Sequence, residues 1–143
     1  MIELDNLLND IQQQCDDAAH SMFGDATTRR WKNPSFARIM EDPDAVGEMH
    51  GVCGDMIRIY LKISSGVIRE ASFFTTGCGP SIVSGDIACE LAVGRSVDEA
   101  SEIDGEEILT ALGGLPEDKT HCAHLASSSL QEALGNWLGR KSE

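Results

Sequence analysis

The run Met56-Ile57-Arg58-Ile59-Tyr60-Leu61-Lys62-Ile63, then Ser64-Ser65-Gly66, then Val67-Ile68-Arg69-Glu70-Ala71-Ser72-Phe73-Phe74-Thr75-Thr76-Gly77-Cys78-Gly79-Pro80, decides the fold class. In its first part Ile57, Ile59, Leu61 and Ile63 fall on one side, and Met56, Arg58, Tyr60 and Lys62 on the other. A period of two marks a half-buried strand. Ser64-Ser65-Gly66 supplies a turn, and residues 67–76 form a second strand carrying Phe73 and Phe74, so the two predict an antiparallel hairpin. Gly77-Cys78-Gly79-Pro80 breaks that strand. A helix should follow, with Pro80 tolerated in its first turn, Val83, Ile87 and Leu91 on its buried stripe, and Gly94 ending it.

Toward the C-terminus, Ser96-Val97-Asp98-Glu99 and Asp104-Gly105-Glu106-Glu107 have the form of capping boxes that start two short helices. Gly113-Gly114 and Leu115-Pro116 make a loop, and a last helix is expected over 120–138 with Leu130, Ala133, Leu134, Trp137 and Leu138 facing inward. Toward the N-terminus, residues 25–51 are polar and punctuated by Asn33-Pro34, Asp42-Pro43, Gly47 and Gly51, which predicts an extended loop with a short helical turn at 36–40. Leu4, Leu7, Leu8 and Ile11 stand at helical spacing, giving an amphipathic helix over 1–24 with Gly24 as its stop. The expectation is one α+β domain over 1–143: a small antiparallel β-sheet packed on one face by helices.

Composition narrows the function classes. At 143 residues with 41% hydrophobic content, a core can form without disulfide staples. No apolar run approaches the ~20 residues that span a bilayer, and the start of the chain lacks the basic-then-apolar pattern of a secretory signal. No membrane association and a cytoplasmic location are therefore expected. Twenty-four acidic against 11 basic residues give a net charge of −13. That argues against nucleic acid, whose phosphates are bound by clustered Lys and Arg.

The five cysteines, Cys15, Cys53, Cys78, Cys89 and Cys122, are more telling. An odd count points away from a disulfide framework and toward metal or thiol chemistry. None belongs to a C-x-x-C pair, so a metal site must be assembled from distant segments. In Cys53-Gly54-Asp55 an extended backbone puts the thiol and the carboxylate on the same side, with Cα atoms roughly 6.5–7 Å apart. Gly77 and Gly79 leave the Cys78 sulfur unshielded. His121 and Cys122 open the last helix, where a thiol is drawn toward thiolate. Thiolates suit zinc and iron, and imidazole or carboxylate can complete a four-coordinate site. Cys53, Asp55, Cys78, His121 and Cys122 are one donor more than a tetrahedral ion needs. The surplus is awkward for structural zinc and suits a cluster whose ligands exchange. Against this, Cys89 in mid-helix reads as an inert small hydrophobe, and Cys15 as incidental. Singly, Cys53, Cys78 and Cys122 could equally be core residues, His121 a cap, Asp55 a loop acid, and His124 a packing or solvent-facing side chain.

Taken together, Asn33-Pro34, Pro43-Asp44-Ala45-Val46-Gly47 and Val52-Cys53-Gly54-Asp55-Met56 resemble the opening of IscU/NifU-type iron–sulfur cluster scaffolds. So do residues 73–79, ending in Thr75-Thr76-Gly77-Cys78-Gly79, residues 94–100, and Leu115-Pro116 followed by Lys119-Thr120-His121-Cys122. The resemblance covers 33–138 in one consistent order and implies an IscU/SufE-like fold.

It also implies a function. The family cysteines fall on Cys53, Cys78 and Cys122, its aspartate on Asp55 and its histidine on His121. A cysteine desulfurase would deliver sulfur as a persulfide, with Cys122 the expected acceptor. An iron donor and an electron donor would complete a transient [2Fe–2S] cluster for transfer to apo iron–sulfur proteins. Asp55 would be the exchangeable ligand that permits cluster release, and zinc could occupy the site in the isolated protein. The chain would be a carrier rather than an enzyme.

Two departures stand out. Ser35-Phe36-Ala37-Arg38 follows Asn33-Pro34 where the family commonly has Arg-Asn-x-Gly. Leu115-Pro116-Glu117-Asp118-Lys119 replaces Leu-Pro-Pro-Val-Lys, which puts recognition by an Hsp70-type chaperone in doubt. A SufU-type zinc-dependent sulfur acceptor is the nearest rival, but such chains carry an insertion before the last cysteine and lack the neighbouring histidine. A structural zinc domain is the blander alternative. A cysteine hydrolase would need a base oriented by a third group, and nothing in the sequence supplies one.

Overall fold

Strand β2 (Met56–Ser64) lies between β1 (Ala45–His50) and β3 (Val67–Thr75) in an antiparallel meander. The structure, a computed structural model, describes residues 30, 32–51, 54–77, 79–115 and 119–142. The predicted helix over 1–24 lies outside them. Ile57, Ile59 and Leu61 are fully buried on one face of β2, opposite Thr75, Phe73 and Ala71 of β3. A register irregularity between Lys62 and Ile63 ends the strict alternation and leaves Ile63 only partly buried.

The strand β1 corrects the sequence reading, which placed 45–50 in a loop. Its inward positions are Ala45 and Gly47, too small to register as an apolar alternation. The reason is contact with the last helix, α4 (His121–Ser142). A Cβ on Gly47 would collide with the backbone of Ser129 and Ala133, so only glycine lets helix and strand meet this closely. Asn136 Nδ2 donates to the Val46 carbonyl at 2.8 Å, and Ser129 Oγ lies 2.9 Å from the Ile57 carbonyl. Leu130, Ala133 and Leu134 are buried and Trp137 partly so, but Leu138 is exposed rather than inward.

Helix α1 (Gly79–Ala92) covers the β3 side. It is buried nearly all round, with Gly85 directly beneath the Phe73 ring. Gly94, at φ +90°, follows its end, and Leu91 is partly buried. Helix α2 (Val97–Ala100) starts with a full capping box between Ser96 and Glu99. Helix α3 (Gly105–Leu112) has only half of one: Asp104 accepts from the Glu107 N–H, while the Glu107 carboxylate pairs with Arg95 at 2.8 Å.

No helix forms at 36–40. Ala37 instead makes a parallel bridge to Phe73 at the free edge of β3, and Asp44 N–H donates to the Leu61 carbonyl at the start of β1. The chain between them borders a cavity at that edge, where Ala37 and Ile39 meet Phe73 and Phe74 of β3 and Ile82 of α1. Met40 in this segment is buried, as are Tyr60 and Ser72, paired across β2 and β3. Among the described residues, no helix is long and apolar enough to cross a membrane.

Candidate metal centre

The β2–β3 ladder ends in a knot of threonine hydroxyls. Thr75 Oγ1 donates to the Met56 carbonyl at 2.7 Å and accepts from Gly77 N–H at 3.0 Å, while Thr76 Oγ1 accepts from Met56 N–H at 3.1 Å. On the other side, Gly51 N–H donates to the Asp55 carbonyl at 2.7 Å, and Gly54 takes φ +85°, a conformation glycine adopts without strain. These bonds fix Asp55 just before β2, facing Gly77. A Cβ on Gly77 would strike the Ser81 side chain and come within 3.1 Å of Asp55 Oδ2. Glycine is thus required there by close approach rather than by backbone angle.

The first turns of α1 and α4 meet the same point. The Thr120 carbonyl accepts from the N–H groups of Ala123 and His124, placing His121 and Cys122 in the first turn of α4. Ser81, in the first turn of α1, lies with its Oγ 3.6 Å from Cys122 Sγ and 3.3 Å from Asp55 Oδ2. The first N–H groups of a helix lack intrahelical acceptors, and its N-terminal end carries partial positive charge. Two such ends converge here, where Asp55, Ser81 and Cys122 meet.

The donor atoms of Asp55, His121 and Cys122 all lie within 4.8 Å of one another, and His121 Nε2 is 3.6 Å from Cys122 Sγ. Cys122 is buried, while Asp55 and His121 are half-buried, so the group opens to solvent on its carboxylate and imidazole side. One oxygen, one nitrogen and one sulfur donor form a set for zinc or iron rather than for calcium or magnesium, which prefer all-oxygen shells. A tetrahedral ion would need one donor more. Cys53 and Cys78 lie outside the described residues, as does Cys15. Their described neighbours, Gly54 with Asp55 and Gly77 with Gly79, border the group.

Cys89 stands apart, fully buried in mid-α1. Burial, reinforced by the Asp86 charge, pushes its thiol far above the ordinary range, in keeping with an inert core residue. His124 is exposed, lies over Gly105 and has Nε2 3.9 Å from Glu106 Oε1. The sequence reading missed two residues. Ser81 carries no signal in the sequence, because its neighbours Asp55 and Cys122 come from distant segments. Asp86 is a fully buried carboxylate that accepts from Arg30 Nη1 at 2.6 Å and from Phe36 N–H at 2.8 Å. A charged residue beside the apolar positions Val83 and Ile87 was its only signal.

Residues 12–143 match the family described as NifU-like N terminal domain. Iron-sulfur cluster assembly scaffold protein IscU 1 of Archaeoglobus fulgidus is 36% identical over 118 residues, spanning 82% of this chain and 77% of the relative. Iron-sulfur cluster assembly scaffold protein IscU of Azotobacter vinelandii is 33% identical over 124 residues, 83% of this chain and 96% of the relative. In fold, the chain is similar to the N-terminal part of a nitrogen-fixing NifU-like protein from Brucella abortus. The TM-score is 0.65 at 16% identity, over 85% of this chain and 97% of that one.

Proposed function

The chain belongs to the NifU-like N-terminal domain family, and from that premise we propose that it is a scaffold on which an iron–sulfur cluster is assembled and then passed to apo-proteins. The observation that carries this reading is the meeting of Asp55, His121 and Cys122 at the mouth of two helix N-termini. The donors are mixed, partly open to solvent and drawn from separate segments. A resident structural zinc is held in a closed four-donor shell; a cargo is better served by a group that is partly open and whose donors can exchange.

In the proposed sequence the cluster is cargo, and this chain's residues receive, hold and release it. The Cys122 sulfur attacks the terminal sulfur of a persulfide on a cysteine desulfurase. The donor's S–S bond breaks as a new one forms on Cys122, and the desulfurase cysteine leaves as thiolate. Each delivered sulfur, formally zero-valent, takes two electrons to become sulfide, so an electron donor joins the iron donor. Cys53, Cys78, Cys122 and His121 supply the softer ligands. Asp55, a harder donor less suited to cluster iron, is the ligand that lets go. Zinc would be held by the same donors when iron and sulfur are absent.

The test is anaerobic incubation with ferrous iron, cysteine, a reductant and a cysteine desulfurase, followed by absorption spectroscopy and mass spectrometry. Added sulfur should appear on Cys122, then a visible chromophore that moves to an added apo-ferredoxin. Persulfide on Cys122 without any chromophore would instead make the chain a sulfur carrier of the SufU type. Sulfur on neither Cys122 nor any other cysteine would leave only a metal site.

A further inference from the structure

Ser81 lies between the two donors it touches, and it is only 1% exposed. A hydroxyl has one hydrogen to give, yet two acceptors lie within its reach: Asp55 Oδ2 at 3.3 Å and Cys122 Sγ at 3.6 Å. The hydroxyl itself is shielded from water, although Asp55 is half-buried and opens to solvent on its other side. We propose that Ser81 is a positioning residue for release of the cargo: its hydroxyl is the resting partner that receives the Asp55 carboxylate when that ligand leaves the metal.

The argument deepens the scaffold reading and rests on Asp55 being an exchangeable ligand. With a cation held, the Asp55 oxygen is engaged by the metal and the Ser81 hydrogen turns to the Cys122 sulfur. When Asp55 lets go, its solvent side can be hydrated, but Oδ2 is turned toward Gly77 and the buried Ser81, where an oxygen without a donor is costly. Rotation of one C–O bond in Ser81 offers that donor with no movement of backbone. Gly77 keeps the path clear, because any Cβ at that position would occupy the space between the Ser81 side chain and Asp55.

This assigns a sign that distinguishes positioning from mere support. If Ser81 only braced the site, Ser81→Ala would loosen it and metal would leave faster. If Ser81 receives Asp55, its loss removes the stabilised intermediate and metal leaves more slowly. Because the hydroxyl exchanges a weaker bond to sulfur for one to a charged carboxylate, only the difference between the two bonds acts on release, and the expected slowing is roughly threefold to tenfold.

The experiment loads the full-length protein with Co²⁺ alone, whose absorption reports thiolate and carboxylate ligation, and follows its capture by excess chelator. Ser81→Ala should release Co²⁺ at least about threefold more slowly than wild type. Ser81→Thr, which keeps the hydroxyl, should release it at the wild-type rate even if the added methyl lowers the melting temperature. In an Asp55→Ala background, Ser81→Ala should change the rate little, because the group it serves is gone. Faster or unchanged release from Ser81→Ala, a slow Ser81→Thr, or an equal slowing without Asp55 would each overturn the proposal while leaving the scaffold reading intact. Wild-type protein that holds no Co²⁺ would overturn the metal centre and this inference with it.

Discussion

Cys89 with Asp86 and Cys122 with Asp55 are the same two side-chain types in opposite circumstances. Asp86 is fully buried, with Arg30 and the Phe36 N–H as partners, and Cys89 beside it is sealed in the core as a thiol. Asp55 is half-buried, its carboxylate 3.3 Å from one hydroxyl, and Cys122 sits at a helix start with an imidazole 3.6 Å away. Both cysteines are buried, at 0% and 3% exposure, so burial alone does not distinguish their surroundings. What differs is the company: Asp86 is paired with Arg30 and the Phe36 N–H and holds that segment against α1, whereas Asp55, His121 and Cys122 bring three unlike donor atoms within 4.8 Å of one another.

The comparison breaks first at the cysteines. Cys122→Ala should abolish metal loading and cluster formation, whereas Cys89→Ala should leave metal content unchanged and cost about 1 kcal/mol of stability, read by metal analysis and denaturant unfolding. Equal metal loss from both would merge the two regions into one.

The aspartates should behave in reverse. Removing one partner of a buried ion pair typically costs 3–5 kcal/mol, so Asp86→Ala should lower the melting temperature severely. Asp55→Ala should cost less, about 1–2 kcal/mol, from one hydrogen bond with Ser81 and lost attraction to helix N-termini. A severe loss from Asp55→Ala would make that carboxylate a structural one.

Two glycines sharpen the same contrast. Gly47→Ala drives a methyl into the α4 backbone and should cost about 1–3 kcal/mol without altering metal content in the folded fraction. Gly77→Ala should do the opposite, displacing Ser81 and Asp55 and lowering Co²⁺ loading more than stability.

The smallest effect is one of pH. The folded Cys89 thiol ionises far above its unfolded value because of burial and the Asp86 charge. Its contribution is therefore full below about pH 8.5 and declines as pH climbs past the unfolded thiol's value, by up to ~1.4 kcal/mol per unit. Urea unfolding at successive pH values should show an alkaline decline that Cys89→Ala flattens.

Legibility in the sequence followed side-chain size and chain continuity. The hairpin was readable because Ile57, Ile59 and Leu61 alternate with polar residues, and the Ser96 cap because its box is contiguous. Strand β1 was not, because its inward residues are Ala45 and Gly47, sized to admit α4 rather than to advertise a strand. Tyr60 falls on the outward side by period, yet it is buried at 5% exposure, which alternation along one strand does not reveal. At the centre, Asp55, His121 and Cys122 were readable from their positions at element boundaries. Ser81 was not, because its role exists only where the starts of two helices touch.

The most direct test of the central claim compares wild type with Asp55→Ala after anaerobic cluster reconstitution, following decay of the visible absorption and its transfer to apo-ferredoxin. A site built for release predicts that Asp55→Ala still assembles the cluster but holds it longer and transfers it more slowly. In a closed zinc site, losing a ligand or its support weakens metal binding, typically by ~10–100-fold. A variant cluster that decays or transfers faster than wild type would contradict the account.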